Sequence, residues 1–137
     1  MISRLLTALD RILPPETASA HCDRPCGVYD PAQARIEAES VQAIQQKYQD
    51  SDDPVFKERC LVIKEERADL VKHHLWVLWT DYFKPNHLEA NPDLHDKFWK
   101  TTKLAGDSKR SVDPAQGKEL LAAIEEIAAI YKKTKAA

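Results

Sequence analysis

Four dipeptides of one chemical type punctuate the chain, each an acidic or amide residue followed by proline: Asp30-Pro31, Asp53-Pro54, Asn91-Pro92 and Asp113-Pro114. Such a pair suits the start of a helix. The Asp or Asn side chain accepts a hydrogen bond from an unpaired backbone N–H, and proline loses nothing at the first helical position. The four signals predict four helices, and no segment alternates apolar and polar residues for long enough to predict a strand.

The segments between these signals carry apolar residues at helical spacing, over about 31–49, 54–82, 92–104 and 114–133. Because the connections are short, the predicted fold is all-α, an antiparallel four-helix bundle. The predicted inward positions are, in chain order, Glu37, Val41, Ile44 and Tyr48; Phe56, Cys60, Ile63, Arg67, Leu70 and His74; Leu94, Phe98 and Thr101; and Leu120, Ile124, Ile127 and Tyr131.

Two charged residues, Glu37 and Arg67, fall at positions where the stripes call for apolar side chains. A buried charge without a partner is costly, so the two are expected to contact each other or a shared polar group. The alternative is that the stripes are one residue out of phase, which would place both charges on a solvated flank.

Length and charge limit the class of protein. The 137 residues suit one domain, and 20 Lys and Arg against 22 Asp and Glu give a formal net charge of −2. Such a chain has no general attraction to nucleic acid or anionic lipid. No run approaches the roughly 20 apolar residues of a membrane span. We therefore expect neither a nucleic-acid nor a membrane partner.

Residues 1–20 stand outside the helical scheme. They end on small residues, Thr17-Ala18-Ser19-Ala20, as a peptidase site does, but Asp10 and Arg11 interrupt the continuous apolar core that a secretory signal needs. We predict a leader, residues 1–20, that is removed, with export as the alternative.

The segment after Ala20 reads His21-Cys22-Asp23-Arg24-Pro25-Cys26-Gly27-Val28-Tyr29. Thiolate and imidazole together suit zinc, copper or nickel, although a Cys-x-x-x-Cys also occurs as a disulfide or as separate thiols. Cleavage after Ala20 would add the α-amine of His21 to the donors. With the amide nitrogen and sulfur of Cys22 and the sulfur of Cys26 it would complete a square plane, which favours Ni(II) or Cu(II) over zinc.

This segment resembles the N-terminus of nickel superoxide dismutases, whose hallmark is H-C-x-x-P-C-G-x-Y, and residues 21–29 match it at every fixed position. The resemblance extends through residues 81–85 and covers 21–137, while residues 1–20 resemble that family's leader. It implies a four-helix-bundle enzyme with a metal-binding hook at 21–29. The implied reaction is the conversion of superoxide to oxygen and hydrogen peroxide by nickel cycling between Ni(II) and Ni(III).

The resemblance also implies roles for individual residues. One nickel ion per subunit would be held by His21, Cys22 and Cys26. Glu37 and Arg67 match the family's partners of the axial imidazole, which would explain why two charges interrupt the stripes.

Residues around the hook have implied roles as well. Tyr29 and Tyr82 match tyrosines that limit access to the open face of the nickel, and Asp23 and Lys84 match polar residues that shape the hook and its approach. The peptide bond before Pro25 is expected to be cis.

Two residues depart from the family pattern. Arg24 stands where relatives usually carry an aliphatic residue, and it either helps to attract superoxide or points to solvent. Cys60 has no counterpart in the motif and is expected to be a small buried apolar residue.

The expected protein is thus an enzyme, a nickel-dependent superoxide dismutase, with superoxide as its substrate. The resemblance implies a homohexamer and a leader peptidase. Because ligand thiols must stay reduced until the metal arrives, the expected compartment is the cytoplasm. Two alternatives are a non-catalytic metal-carrier bundle and a thiol–disulfide exchange pair, the second of which lacks the usual two-residue spacing.

Overall fold

A computed structural model of the protein describes residues 27–136, and within that range the chain is helical and has no strand. Its helices are α1 (Ala32–Gln49), α2 (Pro54–Val77), α3 (Pro85–Ala90), α4 (Leu94–Arg110) and α5 (Pro114–Ala136). A π-helical turn, Leu78–Tyr82, continues α2. None of the helices in this range combines the length and apolarity of a membrane span. The short helix α3 was not predicted.

Three of the four predicted start signals begin helices. Oδ1 of Asp30, Asp53 and Asp113 accepts a hydrogen bond from the backbone N–H two residues later, at 2.8, 3.0 and 2.9 Å respectively. The start predicted at Asn91 was wrong. Its side-chain amide can donate as well as accept, and it donates to the His87 carbonyl at 3.0 Å, where α3 ends.

The predicted end of the third long helix near Leu104 was also wrong, because α4 continues to Arg110. A glycine inside a helix costs only about 1 kcal/mol relative to alanine. Burial of Ala105 and Ser108 on either side of Gly106 holds these last turns against the bundle.

The four long helices of the described chain form a ring in which α1 and α4 each pack on both α2 and α5. Gln49 Nε2 donates to the Val112 carbonyl at 2.8 Å, so α1 ends beside the start of α5. Arg35 near the start of α1 faces Glu125 on the later part of α5, at 3.6 Å. Short loops reverse the chain between α1 and α2 and between α4 and α5. The predicted antiparallel four-helix bundle is confirmed.

The predicted inner faces are confirmed on α4 and α5, where all seven residues named in advance are buried. On α1 and α2 the prediction was one residue out of phase, and only Val41 and Cys60 were placed correctly. The buried residues there are Ala34, Ala38, Val41 and Gln45, and Cys60, Lys64, Ala68, Val71 and Leu75.

A buried lysine contributes to that error. Lys64 is 1% exposed, and its Nζ donates to the carbonyl oxygens of Ser108, at 2.9 Å, and Lys109 in the last turn of α4. Burial lowers the pKa of Lys64, whereas the carbonyls at a helix C-terminus favour the cation. A sequence pattern counts lysine as an outward residue, so it misplaces this face.

Gly117 marks a close approach of α5 to α1, because a Cβ at this position would lie 2.6 Å from Gln42 Cβ and 2.8 Å from Gln42 Cα. We expect Gly117→Ala to lower the free energy of unfolding by about 1–3 kcal/mol, since overpacking outweighs the better helix propensity of alanine. Gly106→Ala is the control. Its Cβ would meet the Lys72 side chain, with Nζ at 3.2 Å, which can move away. Urea denaturation measures both, and a stable Gly117→Ala would contradict the tight approach.

Candidate metal centre

The predicted nickel ligands His21, Cys22 and Cys26 lie outside the described residues, as do Asp23, Arg24 and Pro25 with the peptide bond that precedes it. Within residues 27–136, no group of three or more His, Cys, Asp and Glu side chains could hold a metal ion. The donor set of residues 21–26 combines two thiols with an imidazole and would gain an α-amine if residues 1–20 were removed. Such sulfur and nitrogen donors fit nickel.

The predicted hook, residues 21–29, enters the described range at Gly27 and ends at Tyr29. Gly27 has a φ of +63°, a left-handed conformation that costs residues with a Cβ roughly 1–2 kcal/mol. Two residues later, the Tyr29 carbonyl accepts a hydrogen bond from the Tyr131 hydroxyl of α5. The backbone is therefore fixed to the bundle three residues after Cys26.

The structure brings Tyr29 and Tyr82 together, with their ring centroids 5.9 Å apart. Tyr82 also packs on Tyr131, at 4.7 Å, and stacks on His87, at 5.7 Å. It ends the π-helical turn, in which the Phe83 N–H donates to the carbonyl five residues earlier at 3.1 Å. Such turns are frequent at functional sites. The proximity of Tyr29 and Tyr82 was expected from the resemblance, whereas the π-helical turn left no signal in the sequence.

Two residues near the end of α5 contact these tyrosines and were missed as site residues. The Tyr82 hydroxyl lies 2.7 Å from Thr134 Oγ1, and Thr134 Oγ1 donates to the Tyr131 carbonyl at 2.7 Å. Tyr131 was predicted as a core residue and is 9% exposed. Hydrophobic spacing predicted that the Tyr131 ring is buried, but such spacing carries no information about the direction of the Tyr131 hydroxyl.

Lys135 follows this turn and places its ammonium group beside the same rings. Its Nζ lies 5.4 Å from the ring centroid of Tyr82 and 5.6 Å from that of Tyr131. Lys84 lies exposed before α3, where its backbone N–H donates to Nδ1 of His87 at 3.2 Å.

Glu37 and Arg67 form an ion pair, with 3.2 Å between Glu37 Oε2 and Arg67 Nη1. The Glu37 side chain is 16% exposed and that of Arg67 35% exposed. The predicted contact is therefore present, although the helical phase on which it was based was wrong. Both residues lie on the partly solvated flank that the alternative interpretation described.

The ion pair and the tyrosines are separate features of the chain. Arg67 lies in the middle of α2 and Tyr82 ends the π-helical turn that continues it. At about 1.5 Å of rise per residue, the backbone between them spans roughly 20 Å. The structure thus brings the four predicted site residues that lie within 27–136 together as two pairs, Glu37 with Arg67 and Tyr29 with Tyr82.

Comparisons with known proteins agree with this fold and with the residue pattern. A family model described as nickel-containing superoxide dismutase matches residues 16–135. The superoxide dismutase [Ni] of Streptomyces coelicolor is 54% identical over 137 residues. The alignment covers 100% of this chain and 100% of the relative. That of Streptomyces seoulensis is 55% identical over 130 residues, which cover 94% of this chain and 99% of the relative.

Solved structures are similar as well. One is a nickel-containing superoxide dismutase whose nickel ligation corresponds to the oxidised state. It is 56% identical, with a TM-score of 0.84, and the match covers 85% of this chain and 100% of the solved chain.

Proposed function

The chain belongs to the nickel-containing superoxide dismutase family, and we propose that His21, Cys22 and Cys26 hold its nickel ion in a chain that begins at His21. Its activity is the conversion of superoxide to oxygen and hydrogen peroxide, and its cofactor is nickel. The identity of 54% over the whole length of a superoxide dismutase carries this assignment. A non-catalytic metal carrier is not favoured, because the full-length relatives are named as dismutases.

The reaction turns two superoxide ions and two protons into one oxygen molecule and one hydrogen peroxide molecule. When bound, the nickel ion supplies the one-electron chemistry by cycling between Ni(II) and Ni(III). The proposed ligands would make that cycle accessible, because two thiolates and an amide nitrogen would donate electron density to the metal. Tyr29 and Tyr82, whose rings are 5.9 Å apart, would limit access to the hook and order water there.

Residues 1–20 are proposed to be a leader that a peptidase removes. The solved relative is matched over its full length yet covers only 85% of this chain, which is the share that remains after residues 1–20 are removed from 137. The curated Streptomyces coelicolor relative, in contrast, is matched along all of both chains. Both comparisons support a longer precursor and a shorter working enzyme.

The proposed assembly is a homohexamer, as the resemblance implies, and the proposed compartment is the cytoplasm, where thiols stay reduced. Several large apolar side chains are exposed on the single chain, among them Val28, Ile36, Trp76 and Trp99. Association would remove such surface from water. The separation of about 20 Å between Arg67 on α2 and Tyr82 at the end of the π-helical turn also supports a site that more than one copy completes.

Nickel content, dismutase activity and molecular mass of the chain that begins at His21 test these proposals together. We expect one nickel ion per subunit and nickel-dependent activity. A folded chain that binds no nickel would contradict the proposed site, whereas a monomeric mass of the active protein would contradict the hexamer alone.

Glu37→Gln tests the role of the ion pair. We expect dismutase activity to fall about 10- to 100-fold, the usual cost of removing a partner of a metal-ligating histidine. Stability should change by less than about 1 kcal/mol, because a partly exposed ion pair contributes little. Activity per bound nickel and urea denaturation measure the two effects.

Asp69→Asn is the matched control for Glu37→Gln. It removes a different interhelical ion pair, between Asp69 and Lys109, at 2.9 Å, and should leave activity unchanged. Equal activities of the two variants would contradict a role for Glu37 beyond the fold.

A further inference from the structure

The end of α5 contacts both tyrosines of the candidate site. Thr134 lies against the Tyr82 hydroxyl at 2.7 Å, and the Tyr131 hydroxyl donates to the Tyr29 carbonyl. The Tyr82 ring lies between the rings of Tyr29, at 5.9 Å, and Tyr131, at 4.7 Å. One helical turn therefore contacts the side chain that ends the π-helical turn and the backbone of the last residue of the hook.

The direction of the hydrogen bond at Tyr82 follows from the donors available. A threonine hydroxyl carries a single hydrogen, and that of Thr134 is directed at the Tyr131 carbonyl, at 2.7 Å. Thr134 must therefore accept at its other contact, and Tyr82 donates. The phenol hydrogen of Tyr82 is thus directed towards α5, and its oxygen retains lone pairs that can accept a hydrogen bond from water.

Tyr131 acts on the other side of the pair. Its hydroxyl is bound to the main chain of Tyr29, three residues after Cys26, and its ring is 9% exposed. Because the ring is packed in the core, its position is set by α5 rather than by the hook. The last residue of the hook, Tyr29, is therefore held to the bundle through its main-chain carbonyl.

We propose that Thr134 and Tyr131 are positioning residues, Thr134 for the Tyr82 hydroxyl and Tyr131 for the main chain of Tyr29. The inference rests on the proposed function, in which Tyr29 and Tyr82 control access to the nickel hook. Neither residue touches superoxide. The last turn of α5 sets the relative placement of the two tyrosines and so sets the rate at which superoxide is turned over.

Thr134→Val removes the hydroxyl with little change in volume, and Thr134→Ser keeps it. In the processed, nickel-loaded enzyme we expect Thr134→Val to lower the rate constant for superoxide about 3- to 10-fold, corresponding to the loss of one hydrogen bond. Thr134→Ser should restore most of the rate. Thr101→Val is the matched control, because Thr101 Oγ1 also donates to a helix carbonyl, at 2.7 Å, but on α4. It should leave the rate unchanged.

A double-mutant cycle with Tyr82→Phe separates positioning from general stability. If Thr134 acts through Tyr82, Thr134→Val lowers the rate no further in the Tyr82→Phe background. If the effects of the two substitutions are independent, the positioning role of Thr134 alone is overturned. The same holds if Tyr82→Phe lowers the rate and Thr134→Val leaves it unchanged. An unchanged rate in Tyr82→Phe overturns the proposed function of Tyr82 as well.

Tyr131→Phe tests the second contact, since it keeps the ring and removes only the hydrogen bond to Tyr29. We expect nickel to leave the processed enzyme about 3- to 10-fold faster in competition with a chelator, because the hook loses its anchor on α5. Tyr48→Phe, on the last turn of α1, is the control and should release nickel at the unmodified rate. Equal release rates for the two variants overturn the role of Tyr131.

Discussion

The full-length chain is expected to show no nickel-dependent dismutase activity, whereas the chain that begins at His21 is expected to be active. With residues 1–20 attached, the His21 nitrogen belongs to a peptide bond and, unlike an α-amine, offers a metal no free lone pair unless it loses its proton. The site would then need a second deprotonated amide beside that of Cys22, which makes the set of sulfur and nitrogen donors much harder to complete. We expect the activities of the two chains to differ by at least about 100-fold. Losing only the hydrogen-bond partner of a metal ligand can already cost that much, and here a ligand itself is lost.

A third chain distinguishes two ways in which the leader could prevent activity. A chain that begins at Ala20 keeps one residue of the leader and still converts the His21 nitrogen to an amide. If the α-amine is required, this chain is as inactive as the full-length protein. If the leader acts by its bulk, it is as active as the chain that begins at His21. Nickel per subunit and dismutase activity are measured for all three, and equal activity in the full-length and processed chains would contradict the maturation switch.

The fold was predicted well where local chemistry and packing agree. Helices begin just after Asp30, Asp53 and Asp113, because each carboxylate accepts a hydrogen bond from the backbone N–H two residues later. The stripes of α4 and α5 consist of large apolar residues and were located correctly. On α1 and α2 the contact faces contain alanines, Gln45 and Lys64, whose burial depends on partners in other helices. No local pattern contains that information.

The candidate site shows the same division. The proposed ligands were singled out because residues 21–29 combine unusual donors within a short motif, and they stay a prediction because residues 21–26 lie outside the described range. Glu37 and Arg67 were singled out because two charges fall on the predicted apolar spacing, and although that helical phase was wrong, their side chains do contact each other. Thr134 and Tyr131 were missed as site residues, because each acts through one hydroxyl whose partner lies far away in the sequence.

Cys26→Ser is expected to abolish nickel binding and leave the bundle folded. Serine is not ionised at neutral pH and offers a hard, neutral oxygen where the site needs a soft thiolate. Nickel should fall from about one ion per subunit to near zero, and dismutase activity should fall by at least about 100-fold. The free energy of unfolding of the metal-free protein should not change, because the hydrophobic core of the described residues runs from Ala34 to Tyr131, beyond Cys26 in the chain.

Cys60→Ser is the matched control, the same substitution at a cysteine that is free and 5% exposed. Placing a hydroxyl at this buried position should cost about 1–3 kcal/mol of stability unless it finds a partner, while nickel content and activity per folded subunit stay unchanged. The two variants should thus show opposite losses, one of metal and the other of stability. Retained nickel in Cys26→Ser would contradict the proposed ligand set. Loss of nickel from a folded Cys60→Ser would contradict the interpretation of Cys60 as a buried residue with no role in metal binding.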